Sequence, residues 1–153
     1  MNTLYMAGSD FLLITRETDY ALRILRALYQ KGQMSATAIA QREHISRPVT
    51  LKIVKRLHGA GLLESRRGPS GGYMLREGCE QMSLWDVFQA LDDSILLNRC
   101  QQDGYQCENL ASGECGISRE LSRVQQVLDR ELKKTPLSVL FQKKRSVGRP
   151  KNS

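Results

Sequence analysis

The apolar residues of this chain recur three and four positions apart in several stretches, which is the spacing of amphipathic helices. The first predicted helix starts near Thr15 and ends at Gly32. Its apolar side consists of Ala21, Ile24, Leu25 and Leu28. A short second helix is predicted over residues 35–43, with Ser35 as its N-cap.

Residues 46–75 hold the most informative pattern, a helix followed by a hairpin. Ser46 is a suitable N-cap, and Pro48 falls in the first turn, where its missing N–H is not needed. The apolar side of this helix is formed by Ile53, Val54 and Leu57. Two short strands, at about 62–66 and 73–75, then flank a glycine-rich tip.

A short helix, a tight turn, a basic helix and a basic hairpin predict a winged helix-turn-helix, which lays its second helix in the major groove of DNA. The alternative is a helical hairpin whose charges only solvate it, but cations lie on both the helix and the hairpin tip. We therefore predict a mainly α fold with a small β-wing and a long dimerisation helix. The predicted division is a flexible extension at 1–10, a winged helix-turn-helix domain at 11–78, a connector helix and cysteine loop at 79–116, a dimerisation helix and coda at 117–142, and a basic disordered tail at 143–153.

The charge of the chain is unevenly distributed. Of a formal net charge of +7, residues 1–76 contribute +7, residues 77–142 contribute −5 and residues 143–153 contribute +5. This division indicates a polyanion-binding part joined to a different part. No apolar run approaches the ~20 residues of a membrane span, and no signal peptide is recognisable. We therefore expect a cytoplasmic protein without membrane contact.

A long helix is predicted near the C-terminal end. Its apolar residues are spaced by four, three, four and four positions, and they are Ile117, Leu121, Val124, Leu128 and Leu132. Such a narrow seam is typical of a helix that pairs with another helix. We therefore expect a homodimer, which matches a palindromic DNA site.

Three of the four cysteines lie in one polar loop at about 98–116. Cys100, Cys107 and Cys115 follow the spacing Cys-x6-Cys-x7-Cys. Thiolates are soft ligands that suit an iron–sulfur cluster or zinc. Metal or redox chemistry is favoured over structural disulfides in the cytoplasm. A zinc site, a disulfide with a spare thiol, and inert cysteines stay open as alternatives.

Several motifs together resemble those of a known family. They are Thr15-x-x-x-Asp19-Tyr20-Ala21-Leu22-Arg23, Ile45-Ser46-Arg47, Ala60-Gly61-Leu62 and Arg67-Gly68-Pro69-Ser70-Gly71-Gly72-Tyr73-Met74-Leu75. With three cysteines before a long helix, the chain resembles the Rrf-type winged-helix transcription regulators, the family of the IscR and NsrR repressors. The resemblance runs from about residue 13 to residue 141.

The resemblance implies a dimeric repressor with an iron–sulfur cluster on the three loop cysteines. IscR-like members place a histidine three residues after the last cysteine, where this chain has Ser118. NsrR-like members use an aspartate of the other subunit's first helix, which corresponds to Asp19. We predict Asp19 as the fourth ligand. Its alternative role is that of a solvated helix carboxylate or a salt bridge to Arg23, and Glu17 is a weaker candidate ligand. A 4Fe–4S cluster is favoured, and 2Fe–2S is the alternative because the cysteine spacings are longer than usual in the family.

Residues of the second helix and the wing are predicted to contact DNA. They are Ser46, Arg47, Thr50, Lys52, Lys55 and Arg56 in the helix, and Arg66, Arg67 and Tyr73 in the wing. In the tail, Gly-Arg-Pro flanked by cations resembles a minor-groove hook, so Arg149 and Lys151 are candidate accessory contacts. A disordered basic tail that attracts DNA without sequence preference is the alternative.

These features predict a transcription regulator, a repressor by resemblance, whose cluster senses nitric oxide, redox state or iron and cluster supply. The alternative is a cluster-free regulator that responds to a metabolite, a partner protein or thiol oxidation. An enzyme is not expected, because His44 and His58 lie in the DNA-binding unit, away from the cysteines in sequence, and no nucleophile or phosphate-loop motif is recognisable.

Overall fold

The computed structural model describes residues 14–91, 95–107 and 115–142. These residues form six α-helices and one two-stranded antiparallel sheet, which confirms the predicted mainly α fold with a small β-wing. The elements are α1 (Arg16–Lys31), α2 (Ala36–Glu43), α3 (Arg47–Gly59), β1 (Leu63–Arg66), β2 (Gly72–Leu75), α4 (Leu84–Ala90), α5 (Gly116–Lys134) and α6 (Leu137–Phe141). None of the described helices has both the length and the apolar character needed to cross a bilayer.

Two predictions concern residues outside these ranges. They are the flexible extension at 1–10 and the basic tail at 143–153, which contains Arg149 and Lys151. The division of the chain into domains also stays a prediction.

Helix α1 forms the centre of the fold, because its apolar side is completely buried. That side consists of Ala21, Ile24, Leu25 and Leu28. The helix begins where the Thr15 side chain accepts a hydrogen bond from the Thr18 amide at 3.2 Å, and it ends at Gly32, whose φ is 74°. Around it pack α2, α3, β2, α4 and α6.

Helices α2 and α3 form the helix-turn-helix. Ser35 caps α2 by accepting a hydrogen bond from the Ala38 amide at 3.1 Å. The turn residue His44 adopts the left-handed conformation, with a φ of 53°. Ser46 occupies the N-cap position of α3, but its side chain makes no capping hydrogen bond. The inner sides of the two helices bury Ile39, Ile53, Val54 and Leu57.

The wing is fixed to the body of the protein by backbone hydrogen bonds. Strands β1 and β2 are antiparallel, with Arg66 opposite Gly72. Next to Gly72, the Tyr73 amide donates to the Met34 carbonyl at 2.8 Å, and the Met34 amide donates to the Tyr73 carbonyl at 2.9 Å. The segment that follows α1 therefore acts as a third, minimal strand.

The C-terminal helix α6, predicted only as an apolar coda, returns to the core. The Leu137 amide donates to the Met82 carbonyl at 2.7 Å, which joins the start of α6 to the start of α4. At the other end of α6, the Phe141 ring lies 5.8 Å from the ring of Tyr29, measured between centroids. Leu137 and Phe141 are both buried, so α6 closes the core beside α1.

Helix α5 leaves part of its apolar side exposed. Among its residues only Gln125 is buried, whereas Ile117 is 72% exposed and Val124 is 39% exposed. It packs on α4, where the Lys133 ammonium lies 4.3 Å from the centroid of the Trp85 ring. Trp85, which falls outside the apolar stripe of α4, thus joins α4 to α5.

A buried carboxylate, that of Glu43 at the end of α2, attaches the helix-turn-helix to α1. Its oxygens lie 3.2 Å from Arg26, 3.4 Å from Arg23 and 3.4 Å from Arg42. The Arg23 side chain also donates to the Glu43 backbone carbonyl. A buried carboxylate needs such partners, because an unpaired charge in the interior is strongly destabilising.

Gly72 has no room for a side chain, since a Cβ at this position would lie 2.5 Å from the Met34 carbonyl oxygen. We expect Gly72→Ala to lower the free energy of unfolding by about 1–3 kcal/mol, the usual effect of overpacking. Gly59→Ala is the matched control, because a Cβ there meets nothing within 4 Å and Ala is favoured over Gly in helices. Urea denaturation followed by circular dichroism measures both. Equal stability of the two variants would contradict the close approach at Gly72.

Candidate nucleic-acid interface and cysteine segment

The outer side of α3 is exposed and carries cations. Arg47, Lys52 and Lys55 are exposed, and Ser46 is exposed just before the helix. Among the described residues, Arg47 and Lys55 have no ion-pair partner. Exposed cations on the second helix of a helix-turn-helix are the arrangement that contacts DNA.

Two other residues of α3 that were predicted to contact DNA, Thr50 and Arg56, form hydrogen bonds within the protein. Thr50 is completely buried, and its hydroxyl donates to the Ser46 carbonyl at 3.1 Å. From this position the Thr50 side chain does not reach solvent, so it is not part of the exposed surface of α3. Arg56 is half-buried, lies 2.5 Å from Glu17 Oε1 and also donates to the Leu91 carbonyl.

The carboxylate of Glu17, in the first turn of α1, lies between two cations of α3. Its Oε2 is 3.0 Å from Lys52 Nζ, and its Oε1 is 2.5 Å from Arg56 Nη1. Burial by itself raises the pKa of this carboxyl. The hydrogen bonds and charges of Arg56 and Lys52 outweigh that effect and hold the pKa of Glu17 below its ordinary value. The carboxyl is therefore ionised at neutral pH.

The wing presents two further cations next to α3. Arg66 and Arg67 are exposed, and β1 packs beside α3. The Gln33 side-chain amide donates to the Ser70 carbonyl, which holds the tip of the wing against the segment after α1. Tyr73 is half-buried and packs against the core, so only part of its side chain is available to DNA.

One candidate contact was missed by the sequence analysis. Val49, in the first turn of α3, is 38% exposed. By helical spacing Val49 is in phase with the buried Ile53, so the sequence contains no signal that places it outside. An exposed apolar side chain beside cations on such a helix suits contact with a thymine methyl group.

Asp19 lies two residues after Glu17 on α1 and is accessible. Its side chain is 59% exposed, and one carboxylate oxygen lies 3.7 Å from Arg23 Nη1. Its alternative role, the ion pair with Arg23, is therefore present and leaves the carboxylate open to another partner. Asp19 borders a cavity of about 240 Å³, lined also by Leu22, Arg23, Arg26, Leu84, Leu140 and Phe141.

The three cysteines predicted as ligands are free thiols. Cys100 and Cys115 are exposed and Cys107 is half-buried; Cys115 is also the N-cap residue of α5. Within 14–91, 95–107 and 115–142, no three His, Cys, Asp or Glu side chains are grouped so that they could hold a metal ion. One described chain therefore does not bring the predicted ligands together.

The fourth cysteine, Cys79, differs from the other three. It is 4% exposed and lies in the 3₁₀ turn Cys79–Gln81 that follows the wing. Burial, with a smaller contribution from the charge of Glu80, raises the pKa of the Cys79 thiol to about 11. Cys79 is therefore a packed and unreactive thiol rather than a candidate ligand.

Gln125 anchors the beginning of the cysteine segment to α5. Its side-chain oxygen accepts from the Leu97 amide at 2.9 Å, and its amide donates to the Ile95 carbonyl at 2.7 Å. The same amide donates to Asp129 at 2.8 Å. These bonds hold the backbone three residues before Cys100 in a defined position.

A winged helix-turn-helix with exposed cations on its second helix and wing defines a DNA-binding transcription regulator. Comparison with known families agrees, because residues 14–143 match the Rrf2 family, described as an iron-dependent transcriptional regulator. The chain belongs to the Rrf2 family. This confirms the resemblance to Rrf-type regulators and the expectation that the protein is not an enzyme.

Individual relatives are consistent with this assignment. The chain is 31% identical over 125 residues to the HTH-type transcriptional regulator YffB of Lactococcus lactis, with 80% of each chain covered. It is 35% identical over 75 residues to IscR of Cronobacter sakazakii, a match that spans 49% of this chain and 46% of that protein.

Two solved structures are similar. CymR, the global cysteine regulator of B. subtilis, superposes with a TM-score of 0.68 and 27% identity over 86% of this chain and 97% of that chain. IscR of T. potens shares the fold, with a TM-score of 0.63 and 21% identity over 87% of this chain and 89% of that chain.

Replacing Gln125 with leucine should release the start of the cysteine segment. Leucine is similar in size but leaves the Leu97 amide and the Ile95 carbonyl without their partner, so we expect faster hydrogen exchange at Leu97. The stability loss should be about 1–3 kcal/mol, as for other unsatisfied polar groups. The control is Gln126→Leu, since the Gln126 side chain is exposed. Unchanged exchange at Leu97 in Gln125→Leu would show that this anchor is not needed.

Proposed function

We propose that the protein is a repressor whose operator binding is controlled by an iron–sulfur cluster. The observation that carries the proposal is the presence of three free thiols, Cys100, Cys107 and Cys115, on one segment that leads into α5. The family description as an iron-dependent transcriptional regulator supports it.

The chemistry of the donor set fits a cluster. Thiolates are soft ligands, and Cys100 and Cys115 are exposed and Cys107 is half-buried, whereas Cys79 is buried. The three loop cysteines, with Asp19 of the partner subunit, would hold a 4Fe–4S cluster, or a 2Fe–2S cluster as the alternative. When bound, such a cluster supplies a centre that reacts with nitric oxide or oxidants and depends on iron supply.

The position of Asp19 connects this site to the DNA-binding unit. The residue lies in the first turn of α1, where Glu17 contacts α3. One turn later, Arg23 pairs with Asp19 at 3.7 Å and with Glu43 of α2 at 3.4 Å. A ligand that binds Asp19 therefore acts on α1, the helix to which both α2 and α3 are attached. Its binding shifts the population between conformations with different DNA affinity.

The apolar side of α5 supports a homodimer. Ile117 is 72% exposed, and Val124 and Val127 are each 39% exposed, on a helix of 19 residues. A second α5 would remove these side chains from water. A two-fold dimer then presents two helix-turn-helix units related by symmetry, which suits a palindromic operator.

The proposed DNA contacts are the exposed polar residues of α3 and the wing. Ser46, Arg47 and Lys55 would contact bases or phosphates, while Arg66 and Arg67 would bring the wing to the minor groove. Tyr73 contributes through its exposed part. Arg149 and Lys151 are proposed as accessory contacts on the grounds of sequence alone.

A cluster-free regulator is the second candidate, and a specific observation favours it. CymR, which superposes with a TM-score of 0.68, is described as a global cysteine regulator, and a structure of an oxidized form exists for CymR of Staphylococcus aureus. The exposed thiols Cys100 and Cys115 also suit reversible oxidation. In that case thiol oxidation, rather than a cluster, would control DNA binding.

An anaerobic absorption spectrum with iron and sulfide analysis distinguishes the two candidates. We expect a broad band near 400 nm in the wild type and its loss in Cys107→Ala. Asp19→Ala should retain iron but alter the band or its response to nitric oxide, because only one ligand changes. Cys79→Ala is the control, since the buried Cys79 lies apart from the proposed ligands.

The outcomes have separate meanings. Colourless protein from iron-replete anaerobic cells that also resists reconstitution would rule out the cluster. Coloured protein whose spectrum and nitric-oxide response are both the same in Asp19→Ala would retain the cluster and exclude Asp19 as a ligand.

A charge on the seam of α5 should break the dimer. We expect Val124→Glu to shift the protein toward monomer in sedimentation velocity, because the carboxylate would be buried between two helices. Gln126→Glu places the same residue two positions away, at an exposed site on the same helix, and should leave the oligomeric state unchanged. A wild-type protein that sediments as a monomer would refute the proposed pairing.

A further inference from the structure

We propose that Glu17 is a positioning residue for DNA recognition, which withholds Lys52 from DNA phosphates and fixes the orientation of α3 through Arg56. The proposal uses the DNA-binding activity of the family and does not depend on the cluster. It concerns a contact between residues that lie 35 and 39 positions apart in sequence.

The geometry shows one carboxylate shared by two cations. Each oxygen of Glu17 accepts a hydrogen bond from a different side chain, Lys52 at 3.0 Å and Arg56 at 2.5 Å. Lys52 and Arg56 are one helical turn apart on α3, so both can reach the same point on α1. The carboxylate thus occupies the place that a DNA phosphate would otherwise take beside these cations.

The two cations differ in how firmly they are held. Arg56 is 33% exposed, pairs with Glu17 and also donates to the Leu91 carbonyl at the end of α4. It therefore joins three helices and has a structural position. Lys52 is 65% exposed, and Glu17 is the partner that the structure gives it. Lys52 is accordingly the cation that becomes available to a DNA phosphate when the Glu17 carboxylate is removed.

The pairing changes the charge that α3 presents to DNA. Arg47, Lys52, Lys55 and Arg56 are its four formal cations, and one anion lies against two of them. Charge-driven binding is independent of sequence and grows with each phosphate that is neutralised. By withholding Lys52, Glu17 lowers the non-specific share of the affinity and leaves recognition to the exposed residues at the start of α3 and in the wing.

The salt dependence of binding to a random-sequence duplex tests the proposal, with four variants compared to the wild type. For Glu17→Gln we expect the slope of log K against log[salt] to steepen by about 0.9, the value for one more phosphate contact. Its affinity would then fall roughly 3.5-fold further than that of the wild type between about 50 and 200 mM salt. Lys52→Gln alone should leave the slope unchanged, and the double variant should return to the wild-type slope.

Glu77→Gln is the matched control. Glu77 is exposed and has no ion-pair partner among the described residues, so this variant makes the same change in net charge without releasing a cation. Its slope should equal that of the wild type. Circular dichroism and thermal unfolding establish that each variant is folded at the temperature of measurement.

Several outcomes would overturn the proposal. An unchanged slope in Glu17→Gln would mean that the residue has only a structural role. A steeper slope that persists in the double variant would mean that Lys52 is not the released cation. If Glu17→Gln does not fold, Lys52→Gln decides alone, because a decrease of about 0.9 in its slope would show that Lys52 already contacts phosphate in the wild type.

Discussion

The burial of one side of α1 is the constraint on which the rest of the structure depends. Ala21, Ile24 and Leu25 are completely inaccessible, and five other elements pack around them. Burying a large aliphatic side chain is worth about 1.5–3 kcal/mol, so this helix is difficult to displace without unfolding the domain. The polar side of α1 is therefore held in a fixed position, and Glu17 and Asp19 lie in the first turn of this helix.

Charge pairs on the polar side of α1 connect this helix to both helices of the helix-turn-helix, α2 and α3. Arg23 links Asp19 to Glu43 at the end of α2, whereas Glu17 links α1 to Lys52 and Arg56 of α3. Coupling of this kind needs no movement of the core, because the ion pairs are at the ends of side chains.

Local signals in the sequence were sufficient for most of the fold and insufficient for most of the site. The ends of α1 at Thr15 and Gly32 were predicted because capping and left-handed glycine are local properties. Thr50 was predicted to contact DNA but is completely buried, whereas the neighbouring Val49, for which no contact was predicted, is exposed, since small changes in helix rotation decide which of the two is buried. The pairing of Glu17 with α3 was not predictable, because it depends on tertiary packing between distant segments.

The proposed sensor requires a second chain in two respects. No three potential ligands are grouped in the described part of one chain, and the apolar seam of α5 is partly exposed there, at Ile117 and Val124. If Asp19 of one subunit completes a site on the other, cluster binding and dimerisation must strengthen each other by the same free energy. The bonds from Gln125 to Ile95 and Leu97 place the start of the cysteine segment on the helix that forms the seam. Loss of the cluster would then weaken the pairing of the two α5 helices, which sets the distance between the two helix-turn-helix units. Because an operator has a fixed half-site spacing, the affinity for it would fall.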